Sequence, residues 1–160
     1  MTTAPAFQTQ YLDARADCWG CGRNNHNGLY IKSYWSADGQ EAVAQFTPKP
    51  EHTGHKGVLN GGIIATLMDC HSMGLAMAYA HREEGRDIGT EPLVTYVTGQ
   101  LTVNYLKPTP LTERGVELRA SIDEVDGRKT WMTCRLLADG VETARGRVLG
   151  IRINEPPSGA

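Results

Sequence analysis

One segment of the sequence, residues 63–81, constrains the fold more than any other. It contains no proline and is rich in Ala, Leu and Met, which favour helices. Asn60 stands just before it as a typical N-cap, because its side-chain oxygen accepts hydrogen bonds from first-turn amides. Apolar residues nearly encircle the predicted helix, and a helix of that kind is normally buried. Small residues that let a sheet approach closely recur along it: Ala65, Cys70, Ser72, Gly74, Ala76, Ala78 and Ala80.

Strand patterns lie on both sides of this helix. Residues 29–35 alternate between two faces, and Asp38-Gly39 marks a hairpin turn after them. Two further Asp-Gly pairs, at 126–127 and 139–140, mark hairpins after the helix. The predicted strands span residues 29–35, 41–47, 94–105, 116–122, 130–137 and 141–153. One buried helix among antiparallel strands predicts an α+β fold in which a sheet of five to six strands wraps around the helix.

The length of 160 residues fits one domain. Two domains with a cleft between them would not fit, so a site lies within the domain or between subunits. We assign residues 1–27 to an N-terminal arm and a Cys-x-x-Cys loop, residues 28–154 to the domain, and residues 155–160 to a flexible tail. Within the first segment we expect a disordered arm over residues 1–7 and a short helix over residues 8–16.

Charge and hydropathy exclude several classes of partner. Lysine and arginine total 16 against 18 acidic residues, so no basic field favours nucleic acid. No stretch approaches the roughly 20 apolar residues of a membrane span, and residues 1–6 lack the charged start and apolar core of a signal peptide. Four cysteines without a secretion signal indicate free thiols in a reducing compartment. We therefore expect a cytoplasmic protein with no nucleic-acid or membrane partner.

The Cys18-x-x-Cys21 motif has three interpretations. It could be half of a zinc site with His26 as a third ligand, but a structural zinc ion needs four ligands and no second cysteine pair follows. It could be a redox pair, but no βαβ pattern surrounds it. A structural role for the two cysteines is favoured, so we predict neither a metal nor a cofactor.

The candidate chemistry lies at the start of the helix. Amides at a helix N-terminus have no intrahelical partner and lie at the positive end of the dipole, and the glycines Gly61-Gly62 let a substrate approach them. Asp69 is the one carboxylate between residues 63 and 80, and a carboxylate on a buried apolar helix is costly unless it is paired or functional. The structural alternatives are a tight loop-to-helix turn for the glycines and a loop contact for Asp69. His71 points to the opposite side from Asp69, so we predict a packed or interface histidine.

Three motifs together resemble a known family. Asn60-Gly61-Gly62, Asp69 and Gly74 resemble the His/Asn-Gly-Gly…Asp…Gly signature of hotdog-fold acyl-CoA thioesterases, in the phenylacetyl-CoA-thioesterase-like (PaaI-like) branch that includes the mammalian thioesterase superfamily members. Residues 98–110 resemble the central strand of that family, which ends in Asn-Tyr-x-Lys/Arg-Pro, and residues 126–129 resemble its hairpin turn. The resemblance implies the hotdog fold, in which an antiparallel sheet wraps around one long helix.

The resemblance also implies a reaction and a site. The substrate would be an acyl-CoA or a related acyl thioester, hydrolysed without a cofactor to the free acid and CoA. The Gly61 amide would polarise the thioester carbonyl, and Asp69 would act as general base on water or as the nucleophile. Thr98 would reach the site across a dimer interface to help hold the water, while Asp69 and Gly61 lie together on the other chain. A homodimer or homotetramer with shared active sites is therefore expected.

The sequence departs from the family pattern at two positions, so the pattern does not identify the residue that orients the water. Asn60 stands where many relatives have histidine, and Gly54 stands where they have asparagine or glutamine. Asn60 both donates and accepts hydrogen bonds, so it is a catalytic candidate. Gly62 and His55 are candidate substrate-binding residues, with His55 lying beside Gly54 in the loop.

Two other functions compete with hydrolysis. A non-catalytic acyl-thioester-binding module of this fold would be expected to carry a DNA-binding segment or to lack the acid, and Asp69 is present. A hotdog enoyl-thioester hydratase or dehydratase would carry a histidine five residues after the aspartate, where this chain has Gly74. Thioester hydrolysis is the favoured function.

Overall fold

The computed structural model describes residues 4–154, in which one long helix is wrapped by one antiparallel sheet. The helix α1 spans Gly61–Glu83. The strands are β1 Ser33–Trp35, β2 Ala42–Phe46, β3 Thr95–Tyr105, β4 Val116–Asp126, β5 Lys129–Ala138 and β6 Val141–Ile153, in the sheet order β1-β2-β4-β5-β6-β3. The predicted α+β hotdog architecture is confirmed. The predicted flexible tail at 155–160 lies outside the described residues, as do the first three residues of the predicted arm.

Helix α1 begins and ends two residues beyond the predicted limits. The Asn60 side-chain oxygen accepts hydrogen bonds from Gly62 N at 2.8 Å and Ile63 N at 3.2 Å, which confirms the predicted N-cap. By length and composition alone α1 could span a membrane, but 67% of its most apolar window is buried inside the protein. It is therefore the core helix that its all-round apolar pattern predicted.

Small residues allow other elements to lie directly against α1. A Cβ on Gly146 of β6 would lie 2.9 Å from the Met68 sulfur, so glycine there lets the sheet close on the helix. A Cβ on Gly74 would lie 2.9 Å from the Gln8 amide nitrogen, so glycine there lets the N-terminal segment cover the other side. The helix is thus enclosed by the sheet and by residues that precede the first strand.

The N-terminal segment is packed, in contrast to the expected disordered arm. Ala6 and Phe7 are buried, and the Phe7 ring packs edge-on against Trp35 with 5.3 Å between the centroids. The short helix expected over residues 8–16 is replaced by two 3-10 helices, Phe7–Gln10 and Asp13–Arg15. Burial of Phe7 fixes the segment against the domain, which outweighs its weak local preference for structure.

The first predicted strand is shorter than expected. Leu29 N donates to Trp19 O at 2.8 Å and Ile31 N donates to Gly20 O at 3.1 Å, so this part of the chain pairs with the cysteine loop and joins the sheet only at Ser33. The alternation correctly predicted that Leu29 and Ile31 are buried. It could not show that their backbone partner is a loop from residues 16–28.

Strand β3 is an edge of the sheet. It pairs with β6 on one side, and within residues 4–154 its other side has no strand partner. Its 11 residues are mostly exposed, unlike β4 and β5, which carry the buried core. The pairing register shifts between Thr98 and Gln100, so β3 has a bulge at Gly99. A long open edge of this kind is available for pairing with another chain.

Candidate active site

A cavity of about 360 Å³ lies between α1, β3 and the N-terminal segment. Its wall is mostly apolar, with Met73 and Met77 from the helix. Leu75, on the same stretch of α1, lies instead in the core. The cavity is lined by Tyr11, Leu12, Arg15, Cys18, Cys21, Asp69, Cys70, Met73, Met77, His81, Ile88, Gly89, Leu93, Val94, Thr95, Tyr96, Val97 and Thr98. A pocket of this size and polarity is typical of a small-molecule site.

Asp69 and Thr98 form a hydrogen-bonded pair in this cavity. The Thr98 hydroxyl donates to Asp69 Oδ1 at 2.5 Å. Burial raises the pKa of the Asp69 carboxyl, and the bond from Thr98 opposes that rise only in part. The carboxyl is therefore partly removed from water, and within residues 4–154 Thr98 is its one side-chain donor, which leaves the second oxygen for another group.

The bulge in β3 places Thr98. A Cβ on Gly99 would lie 2.6 Å from the Ile151 side chain, so a larger residue where the strand bends would force that side chain to shift. Bulges commonly redirect a side chain next to a functional site. The bend sets the Thr98 hydroxyl against α1 of the same chain. The expectation that Thr98 serves Asp69 from the partner chain is therefore wrong for this contact, because β3 already packs beside α1 within one chain.

The N-terminus of α1 forms a second polar region. Gly62 N is engaged by the Asn60 cap, whereas the Gly61 N–H forms no hydrogen bond within residues 4–154. The Tyr105 hydroxyl donates to Gly61 O at 2.6 Å, and its ring would lie 3.3 Å from a Cβ on Gly61. The absence of a side chain on Gly61 thus lets Tyr105 lie closely over the helix start. Tyr105 belongs to the strand motif at residues 98–110. Its contact with Gly61, 44 residues earlier, could not be predicted from the local sequence pattern.

The structure separates the Gly61 amide from Asp69. The two residues are eight positions apart in one helix, which at 1.5 Å per residue is about 12 Å along its axis. Asn60 and Gly62 lie at the same helix end as Gly61, and Gly62 is exposed. The predicted catalytic residues therefore form two groups within one chain, with Asp69 and Thr98 in the first and the N-terminus of α1 in the second.

The two loop histidines are not part of the cavity wall. His55 is exposed, and its carbonyl accepts from Val58 N at 2.8 Å. His52 accepts a hydrogen bond from Lys49 N at 3.0 Å and stacks on Phe46 with 5.7 Å between the ring centroids. His52 therefore has a structural role in its loop, and the substrate-binding role of His55 stays a prediction.

His71 is packed, as its direction on α1 predicted. It is fully buried, with Nδ1 at 2.7 Å from the Ser33 hydroxyl and Nε2 at 3.1 Å from Ala42 O. Gln8 completes the group, with its side chain bonded to both the hydroxyl and the backbone N–H of Ser33. Desolvation lowers the pKa of His71 to about 4, so the ring is neutral. Ser72, the next residue along α1, is also buried and lies outside the cavity.

The cysteine motif gains a partner that the sequence pattern did not show. The sulfurs of Cys18, Cys21 and Cys70 lie within 4.8 Å of one another, and none of them is in a disulfide. His26, the third ligand in the zinc interpretation of the motif, instead contacts the Tyr30 hydroxyl at 3.5 Å. The Cys21 and Cys70 thiols next to Cys18 lower its pKa to about 2. Proximity to Cys18 raises the pKa of Cys70.

Comparison with known proteins places the chain in a family. The family model of the thioesterase superfamily matches residues 56–144, which include the start of α1, the Asp69–Thr98 pair and the turns of the β4–β5 and β5–β6 hairpins. The chain belongs to the thioesterase superfamily, and the resemblance seen in its motifs is confirmed at that level.

Individual relatives agree with this assignment. A thioesterase superfamily protein of Shewanella loihica PV-4, known from its crystal structure, is 34% identical over 89% of this chain and 99% of its own, with a TM-score of 0.64. Acyl-coenzyme A thioesterase THEM4 of Bos taurus is 23% identical over 94% of this chain, which spans only 60% of that protein. A Bacillus halodurans protein crystallised with CoA is 20% identical over 78% of this chain and 72% of its own, with a TM-score of 0.58, which is a likeness of fold.

Proposed function

We propose that the protein hydrolyses an acyl-CoA, or a related acyl thioester, to the free acid and CoA. The observation that carries this proposal is Asp69, a partly desolvated carboxyl that is held by Thr98 in an apolar cavity. Membership of the thioesterase superfamily supports the reaction class. The name of the Bos taurus relative and the CoA bound to the Bacillus halodurans protein support the CoA thioester as the substrate class.

The geometry suits the steps of thioester hydrolysis. The apolar cavity takes the acyl chain, and the carbonyl lies near Asp69. In one route Asp69 accepts a proton from a water molecule that attacks the carbonyl carbon. In the other, Asp69 attacks the carbon and a mixed anhydride is then hydrolysed. In both routes the thiolate of CoA leaves readily because the pKa of an ordinary thiol is about 8.5.

The polarising amide comes from a second chain in this proposal. A reacting carbonyl lies about 3 Å from both its nucleophile and its oxyanion donor, whereas Gly61 and Asp69 of one chain are about 12 Å apart. Pairing two β3 edges in a homodimer, alone or within a tetramer, would bring a second chain beside the Asp69–Thr98 pair. The Gly61 N–H, Asn60 and Gly62 of that second chain then complete the site.

Thiol release tests the proposed reaction directly. CoA would be measured by chromatography with acyl-CoAs of short, medium, long and aromatic acyl groups, for wild type and Asp69→Ala. The matched control is Asp123→Ala, because Thr133 donates to Asp123 Oδ2 at 2.7 Å in the same kind of pair outside the cavity. We expect Asp69→Ala to lose activity and Asp123→Ala to keep it. Release by wild type that never exceeds release by Asp69→Ala would refute hydrolysis and favour a binding module.

Dilution tests the shared site. Specific activity should fall in parallel with the fraction of dimer measured by sedimentation over the same concentrations, because each Asp69 needs the Gly61 amide of another chain. An active monomer would show that both groups serve from one chain and would refute the arrangement.

A further inference from the structure

The cluster of Cys18, Cys21 and Cys70 has no role in the proposed hydrolysis. We propose that these three thiols form a binding site for one thiophilic d10 metal ion, with Zn²⁺ as the ion that the geometry fits best. The site joins the loop over residues 18–21 to α1. It lies next to Asp69, which directly precedes Cys70 in the helix. The proposal does not depend on the proposed function, since it concerns metal binding alone.

The spacing of the sulfurs fits thiolate coordination. A tetrahedral Zn²⁺ ion with Zn–S distances of about 2.3 Å separates its sulfur ligands by about 3.8 Å. Cys18 Sγ and Cys70 Sγ are 3.7 Å apart, and all three sulfurs lie within 4.8 Å of one another. Ligation therefore requires only small side-chain movements. Thiolates are the ligands that select Zn²⁺ over harder cations.

The loop is held in place by its own backbone. A Cβ on Gly20 would lie 2.3 Å from Cys70 Sγ, so glycine is required for the loop to lie against the helix. Gly22 N donates to Cys18 O at 2.7 Å, and Ile31 N donates to Gly20 O at 3.1 Å. The two loop cysteines are thus fixed opposite Cys70 by hydrogen bonds that do not involve their side chains. A site that is preorganised in this way loses little entropy on binding.

Three protein ligands leave one tetrahedral position, and the cavity that the cysteines line also holds a buried polar group. The Tyr11 hydroxyl is buried, lines the same cavity as the three cysteines, and has no hydrogen-bond partner within residues 4–154. A buried hydroxyl without a partner is costly. A water molecule in the fourth position of the ion would offer Tyr11 a partner. This is the arrangement of zinc sites with three protein ligands and one exchangeable ligand.

A disulfide is the competing use of the same thiols. It would bring two sulfurs to about 2.05 Å and leave the third cysteine without a partner in the cluster. Metal binding uses all three sulfurs at close to their observed spacing. Each cysteine would bind as the thiolate, so loading the ion displaces the remaining thiol protons into solvent.

Metal analysis of the whole chain tests the site. Tag-free protein from zinc-supplemented cells would be assayed for metal, and metal-free protein would be titrated with Co²⁺, which reports thiolate ligation through charge-transfer and tetrahedral d–d absorption. We expect one equivalent of ion per chain. Cys18→Ser, Cys21→Ser and Cys70→Ser should each weaken Zn²⁺ binding at least about 100-fold in competition with a chelator.

Two controls make the result decisive. Cys134→Ser removes a buried cysteine of β5 that is outside the cluster, and it should bind Zn²⁺ as wild type does. Cys18 is exposed, so Cys18→Ser should keep the circular dichroism spectrum of wild type while it loses the ion. Protein that shows no thiolate–Co²⁺ bands, or equal Zn²⁺ affinity in Cys18→Ser and Cys134→Ser, would overturn the proposal. So would isolated protein 2 Da lighter than its reduced form, because that mass shows a disulfide.

Discussion

Asp69 and His71 are two residues apart in α1 and lie in opposite environments. Both nitrogens of His71 have neutral partners, Ser33 and the Ala42 carbonyl, and the ring is fully buried. In the described part of the chain the Asp69 side chain has one donor, Thr98, and it faces a cavity with space for a ligand. A polar group whose hydrogen bonds are all satisfied inside the protein stabilises the fold, whereas a partly satisfied group in a cavity is available for chemistry.

The largest expected effect is the loss of hydrolytic activity when Asp69 is substituted. Asp69→Asn keeps the shape of the side chain and an acceptor for Thr98, but it removes the base or nucleophile. We expect kcat for acyl-CoA hydrolysis to fall about 10³-fold. The melting temperature should stay the same or rise slightly, because burial already disfavours the charged carboxyl. A fall in activity that followed a fall in the folded fraction would show that Asp69 is structural.

The opposite result is expected on the His71 side. His71→Ala leaves a cavity and removes the partner of the Ala42 carbonyl, so the free energy of unfolding should fall by about 3 kcal/mol. Denaturant titration measures this, with His26→Ala as an exposed histidine control that should change stability by less than about 0.5 kcal/mol. Below its melting temperature, the His71→Ala protein should keep most of its kcat. A large loss of kcat in folded protein would show that the two faces are not separate.

Acid should lower the free energy of unfolding through His71 in a defined pH range. Its pKa is about 4 in the folded state and near 6.5 in the unfolded chain, so protons bind preferentially to the unfolded chain. The contribution of His71 to the free energy of unfolding should be constant above pH 6.5, fall between pH 6.5 and pH 4, and level off below that, with a total loss of roughly 3 kcal/mol. Unfolding curves of wild type and His71→Asn measure it. Equal pH dependence in the two proteins would contradict the assignment.

Local patterns predicted the parts of the molecule that depend on local physics. The apolar pattern over residues 63–81 identified α1, Asn60 identified its first turn, and the three Asp-Gly pairs placed the β1–β2, β4–β5 and β5–β6 hairpins. Asp69 stood out because it is an isolated carboxylate on an apolar helix. Each of these predictions depends on one short stretch of the sequence and needs no contact with a distant residue.

Contacts between distant segments were the parts that local patterns could not give. Thr98 was placed at the site through the family resemblance, but its contact with Asp69 of the same chain depends on the bulge at Gly99. Cys70 looked like one of several small residues on α1, since the loop that brings Cys18 and Cys21 to it lies some 50 residues earlier. The packing of Phe7 against Trp35 likewise needs the folded sheet.

The smallest expected effect lies at the contact that holds Asp69. Thr98→Val keeps the shape of the side chain on β3 and removes the hydroxyl that donates to Asp69 Oδ1. We expect kcat to fall about 10-fold, which corresponds to roughly 1.4 kcal/mol, because the carboxyl stays in place but loses the bond that orients it. The pKa of Asp69 should rise further, since that bond lowers it. The acidic limb of the pH–rate profile should therefore move to higher pH, and Thr98→Ser should restore both values. An unchanged pH–rate profile in Thr98→Val would show that Thr98 does not position the base. The functional difference between the Asp69 and His71 sides of α1 would then depend on Asp69 without Thr98.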